Sequence, residues 1–123
     1  MAGRVFRITK DSTWILDVPL HEGYRYTPMV NPESCPGTQV ECCIGEFQPG
    51  SRVLDHSHAE EDNLFYIVSG RATARVGNEV HSLEPGDVLW VPKGEVHNFE
   101  LLGGEGLRSF AIFSPARPVS SGG

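Results

Sequence analysis

Gly50-Ser51-Arg52-Val53-Leu54-Asp55-His56-Ser57-His58 and Gly86-Asp87-Val88-Leu89-Trp90-Val91-Pro92-Lys93-Gly94-Glu95-Val96-His97 are the two stretches whose reading decides the fold. In a β-strand the side chains at i and i+2 leave the same face, so His56 and His58 can aim two imidazoles at one point. His97 supplies a third if the strand starting near Val96 lies close to the strand ending at His58 in a rolled sheet. Neutral imidazole suits Fe, Zn, Ni and Cu. Three protein nitrogens leave coordination positions open for water or substrate, which separates a catalytic site from a closed structural one. Gly50, Gly70, Gly86, Pro92 and Gly94 flank the histidines as corners where the backbone can turn sharply.

Outward from these stretches, Gly and Pro punctuate the whole chain, and short runs rich in Val, Ile, Phe, Tyr and Thr lie between them. No segment of helical length carries a sustained 3.6-residue apolar period, so the chain reads as all-β. The expected strands are Val5 to Thr9, Trp14 to Val18, Gln39 to Phe47, Arg52 to His56, Asn63 to Ser69, Arg71 to Val76, Glu79 to Leu83, Asp87 to Val91, Val96 to Leu101 and Arg108 to Phe113. Val76-Gly77-Asn78-Glu79 is a hairpin turn, because Gly and Asn tolerate the positive φ that two-residue turns require. Leu83-Glu84-Pro85-Gly86-Asp87 is another turn. Thr27 to Pro32 and Cys35-Pro36-Gly37 read as irregular, and 117–123 as a flexible tail. The histidine pattern occurs once, which excludes a duplicated barrel.

At 123 residues and 13.5 kDa, residues 1–123 fit a single domain able to bury one core. Ten basic residues against 16 acidic ones give a net charge of −6, with Lys and Arg scattered. Nucleic acid is therefore not an expected partner. No apolar run approaches the ~20 residues that span a bilayer, and the N-terminus lacks the apolar core of a secretory signal, so no membrane partner is expected. The cysteines, Cys35, Cys42 and Cys43, are odd in number and match no zinc-finger spacing. They argue for packing in a reducing, cytoplasmic setting and against a disulfide framework.

The pattern Gly50-x5-His56-x-His58-x4-Asn63-x6-Gly70, followed by Gly86-x5-Pro92-x-Gly94-x2-His97, resembles the two signature motifs of the cupin superfamily over Gly50 to Leu101. The resemblance implies a double-stranded β-helix, the jelly-roll barrel, with one divalent metal ion (Zn, Fe, Ni or Mn) inside it, commonly in a homodimer. His56, His58 and His97 fall on the family's metal ligands. The family carries Glu where this chain has Asn63, and Asn where it has Leu101. An amide at position 63 keeps an oxygen donor but removes a charge, whether Asn63 ligates directly or orients a bound water. A shift by one residue would put Asp62 there instead, but strand alternation sends Asn63, Phe65 and Ile67 inward and Asp62 and Leu64 outward. The run Glu60-Glu61-Asp62 is then a solvated turn.

Alternation also places Phe99 and Leu101 beside His97, so Phe65, Ile67, Phe99 and Leu101 are the expected apolar pocket wall. Phe113-Ser114-Pro115-Ala116-Arg117 is similar to an ending found in small sugar-acid and polyketide-modifying cupins. Their acid or base Asp is replaced here by Ala111, while Arg117 remains able to hold a substrate carboxylate. His21 and His81 have no patterned neighbour and read as surface or structural residues. Trp14, Trp90, Phe47 and Phe110 are expected in the core, and Tyr24, Tyr26 and Met29 at the barrel mouth or a dimer interface. The leading expectation is a metal-dependent isomerase, cyclase or lyase acting on a small oxygenated substrate. A three-histidine Fe(II) dioxygenase and a non-catalytic small-molecule binder are the alternatives.

Overall fold

A computed structural model describes residues 2–117. Eight strands follow one another: β1 His21–Pro28, β2 Glu41–His56, β3 Asp62–Ser69, β4 Arg71–Val76, β5 Glu79–Leu83, β6 Val88–Val91, β7 His97–Leu102 and β8 Leu107–Ser114. All ladders are antiparallel, and no helix occurs among the described residues. The fold is all-β, as the sequence pattern predicts, and a jelly roll, as the family resemblance implies.

Strand β2 is the hinge of the barrel. Its first half, Glu41 to Phe47, lies on β8, which continues to β3 and β6. Its second half, Arg52 to His56, lies on β7, which continues to β4 and β5. Strand β1 pairs with both halves. The sequence suggests two strands here, Gln39 to Phe47 and Arg52 to His56. The structure instead runs one 16-residue strand through Pro49-Gly50, with Gly50 at φ 77°. Gly50 thus bends the strand between its β8-paired and β7-paired halves without breaking it.

The core lies inside the barrel into which this one sheet rolls. Val53, Ile67, Ala72, Ala74, Leu83, Leu89, Val91, Phe99, Leu101 and Leu107 form its main cluster. Each large apolar side chain buried this way contributes roughly 1.5–3 kcal/mol. In β3, Asn63 and Ile67 are buried while Tyr66 and Val68 are exposed, as alternation requires. The β4–β5 hairpin turns on Gly77 at φ 58°, with Val76 paired to Glu79.

Several expectations need correction. Val5 to Thr9 forms no strand, and Trp14 to Val18 contributes only the isolated bridge Ile15–Tyr26. Asp17 and Leu20 take positive φ, 58° and 66°, which breaks an extended run and turns Val18 inward, where it is buried. The missed strand is β1, whose Thr27 and Pro28 read as loop. Trp90 is 58% exposed because the inward positions of β6 belong to Leu89 and Val91. Trp14 and Phe110 are half-buried, with the Arg25 guanidinium 3.9 Å above the Trp14 ring. Phe47 packs against the core as expected. Of the tail expected over 117–123, Arg117 is held in place, and residues 118–123 lie outside the described ones. No helix among the described residues is long and apolar enough to cross a membrane.

Candidate metal centre

The histidines reach one point by three different routes. His97 opens β7 and is fully buried. His56 ends β2, where the register against β7 shifts between Val53 and His56. That irregularity turns His56 to the same side as Val53, although strict alternation would place an even-numbered neighbour outside. His58 lies beyond the strand, in the β2–β3 loop, so the i,i+2 argument from a single strand does not describe it. Its carbonyl instead accepts a hydrogen bond from Gly94 N at 2.7 Å, tying the loop to the turn that leads into His97.

One ligand nitrogen from each of His56, His58 and His97 lies within 4.8 Å of those of the other two, a group that can hold a metal ion. The His56 and His97 ring centroids are 4.2 Å apart. The Nδ1 atoms face away from this point. His56 Nδ1 donates to Leu54 O at 2.8 Å and His97 Nδ1 to Glu95 O at 3.1 Å. A carbonyl only accepts, so Nδ1 carries the proton in each ring and Nε2 keeps its lone pair. Glu61 Oε1 stands 3.2 Å from His58 Nδ1, and both side chains are largely buried. Glu61 is therefore not part of a solvated turn. Asp62 does face outward, and its carboxylate accepts from Lys93 N at 3.0 Å.

Among the described residues, two buried side-chain polar atoms have no partner: His97 Nε2 and Asn63 Oδ1. Asn63 is 1% exposed and spends its Nδ2 on Ile112 O at 3.0 Å. Such groups cost stability when left unpaired; Asn63 lines the same pocket as His56 and His58, and His97 is grouped with those two histidines, an arrangement that fits a cation better than a closed core. Burial and the neighbouring imidazoles push His58 down to about 4, and burial pushes His97 down to about 4. Both rings are neutral at physiological pH, the form that binds a metal.

The pocket lined by His56, His58 and Asn63 has a volume of about 50 Å³, and His97 is buried outside its lining. Of the expected wall, Phe65 and Phe99 line it, their rings edge to face with centroids 4.8 Å apart. Ile67 and Leu101 do not line it; they sit behind those two rings, around a separate apolar cavity of about 20 Å³. Arg117 lines the mouth, but Glu41 already accepts from its Nε at 2.8 Å and its Nη2 at 3.2 Å. Tyr24 and Tyr26 also line the pocket. Burial drives the Tyr24 hydroxyl well above its usual range and the Cys43 thiol up to about 12, so neither ionises near neutrality.

Sequence reasoning missed His21. Its ring lies 5.5 Å from that of His56, and Nδ1 donates to Pro19 O at 2.8 Å, leaving Nε2 as an acceptor. Simple alternation puts His21 on the face opposite Tyr24 and Tyr26. A register shift between Glu22 and Tyr24, with Gly23 at φ 68°, brings all three to the pocket. The signal for it was Gly23 inside an alternating run. His81 lies outside the pocket, as expected.

Among curated proteins, the tetracenomycin polyketide synthase protein TcmJ of Streptomyces glaucescens is 33% identical over 73 residues, 59% of this chain and 49% of that protein. Quercetin 2,3-dioxygenase of Bacillus subtilis is 36% identical over 52 residues, 42% of this chain and 15% of the enzyme. The chain thus spans about half the length of the first and a small part of the second. Among solved structures, the polyketide cyclase RemF from Streptomyces resistomycificus superposes with a TM-score of 0.78 at 20% identity, covering 96% of this chain and 82% of that one. The family described as cupin domain matches residues 43–113, which contain all of β2 to β7 except the first residues of β2 and take in His56, His58, Asn63 and His97. With more than half its length inside that match, the chain belongs to the cupin domain family.

Proposed function

We propose that the protein is a metal-dependent enzyme of the isomerase, cyclase or lyase kind, acting on a small organic substrate with a carbonyl, enol or acid oxygen. The observation that carries this reading is the grouping of the His56, His58 and His97 nitrogens, together with two partnerless buried atoms, His97 Nε2 and Asn63 Oδ1, of which Asn63 lines the pocket with His56 and His58. Those four residues would hold one divalent ion, and their donor set bears no charge. Bound there, the ion supplies Lewis acidity toward a substrate oxygen, undiminished by a ligand carboxylate.

The chain's own groups supply the rest. Phe65, Phe99 and Phe113 form apolar walls that exclude water and favour a flat carbon skeleton. His21 Nε2, its lone pair directed by the Nδ1 bond to Pro19 O, is placed to accept a hydrogen bond from a substrate hydroxyl at the mouth. The likeness to TcmJ, a polyketide synthase protein by name, supports an enolisable, oxygen-rich substrate.

Element analysis of protein purified without added metal, paired with an oxygen electrode, tests the proposal. About one equivalent of divalent metal, and turnover of an enolisable substrate without oxygen uptake, is the expected result. Metal-free protein that takes up none of Zn, Fe, Ni or Mn refutes it. The likeness to quercetin 2,3-dioxygenase favours a second reading, an Fe(II) dioxygenase built on the same three histidines. Strict iron dependence with oxygen uptake selects that reading, and equal activity with zinc under anaerobic conditions excludes it.

A further inference from the structure

The residues lining the pocket include no carboxylate, and the one permanent charge among them, Arg117, is positive. A dication brought among neutral imidazoles and an amide in a partly apolar cavity gives up hydration with nothing of opposite sign to replace it. One acid side chain touches the donor set from outside. Glu61 Oε1 lies 3.2 Å from His58 Nδ1, and the Glu61 side chain is 12% exposed. The other two rings lean on backbone carbonyls, Leu54 O and Glu95 O, which offer a dipole and no net charge.

Arg117 would compete for Glu61 if it were free. It is not free, because Glu41 accepts from its Nε at 2.8 Å, its Nη2 at 3.2 Å and its backbone N at 2.6 Å. Both members of that pair are largely buried, so the cation is neutralised where it stands. Burial pushes the Glu61 carboxyl up and the charge of Arg117 pulls it back down, but the group Glu61 touches within 4 Å is His58, while Arg117 is held by Glu41.

We infer that Glu61 is a positioning residue that supplies, from behind His58, the negative charge the metal-facing donors lack, and thereby sets the metal affinity of the site. This rests on the metal-centre reading above. A carboxylate behind a ligating imidazole orients the ring and makes its free nitrogen a stronger donor. The charge that Asn63 does not bring into the donor set is thus carried by a residue two positions earlier in the chain.

The test is the affinity of the full chain for zinc, measured by competition with a chromophoric chelator, alongside the melting temperature of each metal-free protein. Glu61→Gln is expected to weaken binding by about 10- to 100-fold. Glu61→Asp, which keeps the charge, is expected to retain most of the affinity, and both variants to melt close to the parent when metal-free. A parent that binds zinc while Glu61→Gln stays within about threefold of it overturns the role of Glu61 and leaves the metal centre standing. Equal losses in Glu61→Gln and Glu61→Asp overturn the charge argument. A parent that binds no zinc, cobalt, nickel, iron or manganese removes the metal centre itself, and this inference with it. Glu41→Gln gives an independent reading should Glu61→Gln fail to fold. Released Arg117 then draws Glu61 from His58, and affinity falls by about tenfold; unchanged affinity overturns the arrangement.

Discussion

Replacing Asn63 by Leu separates a metal ligand from a core amide, because the two roles predict opposite changes in the metal-free protein. Asn63 is 1% exposed, its Nδ2 donates to Ile112 O at 3.0 Å, and its Oδ1 has no partner. An unsatisfied buried acceptor costs about 1–3 kcal/mol, and the bond to Ile112 O contributes about 0.5–1.5 kcal/mol. Leucine has nearly the same shape, so Asn63→Leu relieves the first and loses the second. The metal-free variant should be as stable as the parent or up to about 2 kcal/mol more stable. With metal the sign reverses. At a free metal concentration 100 times the dissociation constant, the parent gains about 2.7 kcal/mol. Loss of one oxygen donor that weakens binding by about tenfold halves that gain, since each tenfold is about 1.4 kcal/mol. Urea unfolding with and without zinc, analysed by linear extrapolation, resolves both quantities. A metal-free variant that loses more than about 2 kcal/mol, with its metal-dependent gain intact, would refute the assignment of Asn63 to the metal site.

Acidification should destabilise the metal-free protein across the window set by two histidines. His58 and His97 fall to about 4 in the folded state against roughly 6.5 when unfolded. The unfolded chain therefore binds more protons between those values, and stability drops as pH falls from about 6.5 to about 4 and levels off below. Urea midpoints at several pH values follow this, and His58→Gln should flatten the slope. Gly70→Ala should cost well over 2 kcal/mol, roughly. Gly70 has φ 85°, and an added Cβ would collide with Gly106 O and stand 2.7 Å from Leu107 Cα. Gly50→Ala, at φ 77° with nothing within 4 Å of its Cβ, should cost only the backbone term of about 1 kcal/mol. Equal losses in the two variants would mean that the close approach at Gly70 does not matter. Cys43, buried with its thiol pushed up to about 12, should resist iodoacetamide in the folded protein at pH 8 and react fully in urea, as read by mass spectrometry after digestion.

The parts of the fold governed by local rules were legible from the residues. Gly77-Asn78 announces its hairpin, and Asn63, Phe65 and Ile67 against Tyr66 and Val68 announce which side of β3 faces in. What alternation could not foresee is where it fails. Three features control the site: the shift at Gly23 that brings in His21, the shift before His56, and the positive φ of Asp17 and Leu20 that turns Val18 inward. The pairing slips by one residue before His56 and by three at Gly23, both odd numbers, and an odd slip exchanges the inner and outer faces of everything beyond it. The strand β1 was hidden for a related reason, since Thr27 and Pro28 read as loop while its pairing with β2 is a tertiary matter. Glu61 lay inside an acidic run whose charge alone suggested solvent. Only the fold of the β2–β3 loop places it on His58.

The same long-range contacts narrow the substrate. Arg117, read from the sequence as a possible carboxylate anchor, is 76 residues from Glu41 in the chain yet bound to it through two guanidinium nitrogens, with its carbon 3.9 Å above the Phe113 ring. A substrate carboxylate would have to displace the Glu41 carboxylate that already holds Arg117. It would gain little, because one buried ion pair would merely replace another while the displaced Glu41 was left uncompensated. A neutral carbonyl or an enol meets no such barrier. It finds an uncharged donor set at the centre, aromatic walls on Phe65, Phe99 and Phe113, and an acceptor in His21 Nε2 at the mouth. Within the proposed range of substrates, the electrostatics of this pocket therefore favour the carbonyl or enol over the free acid.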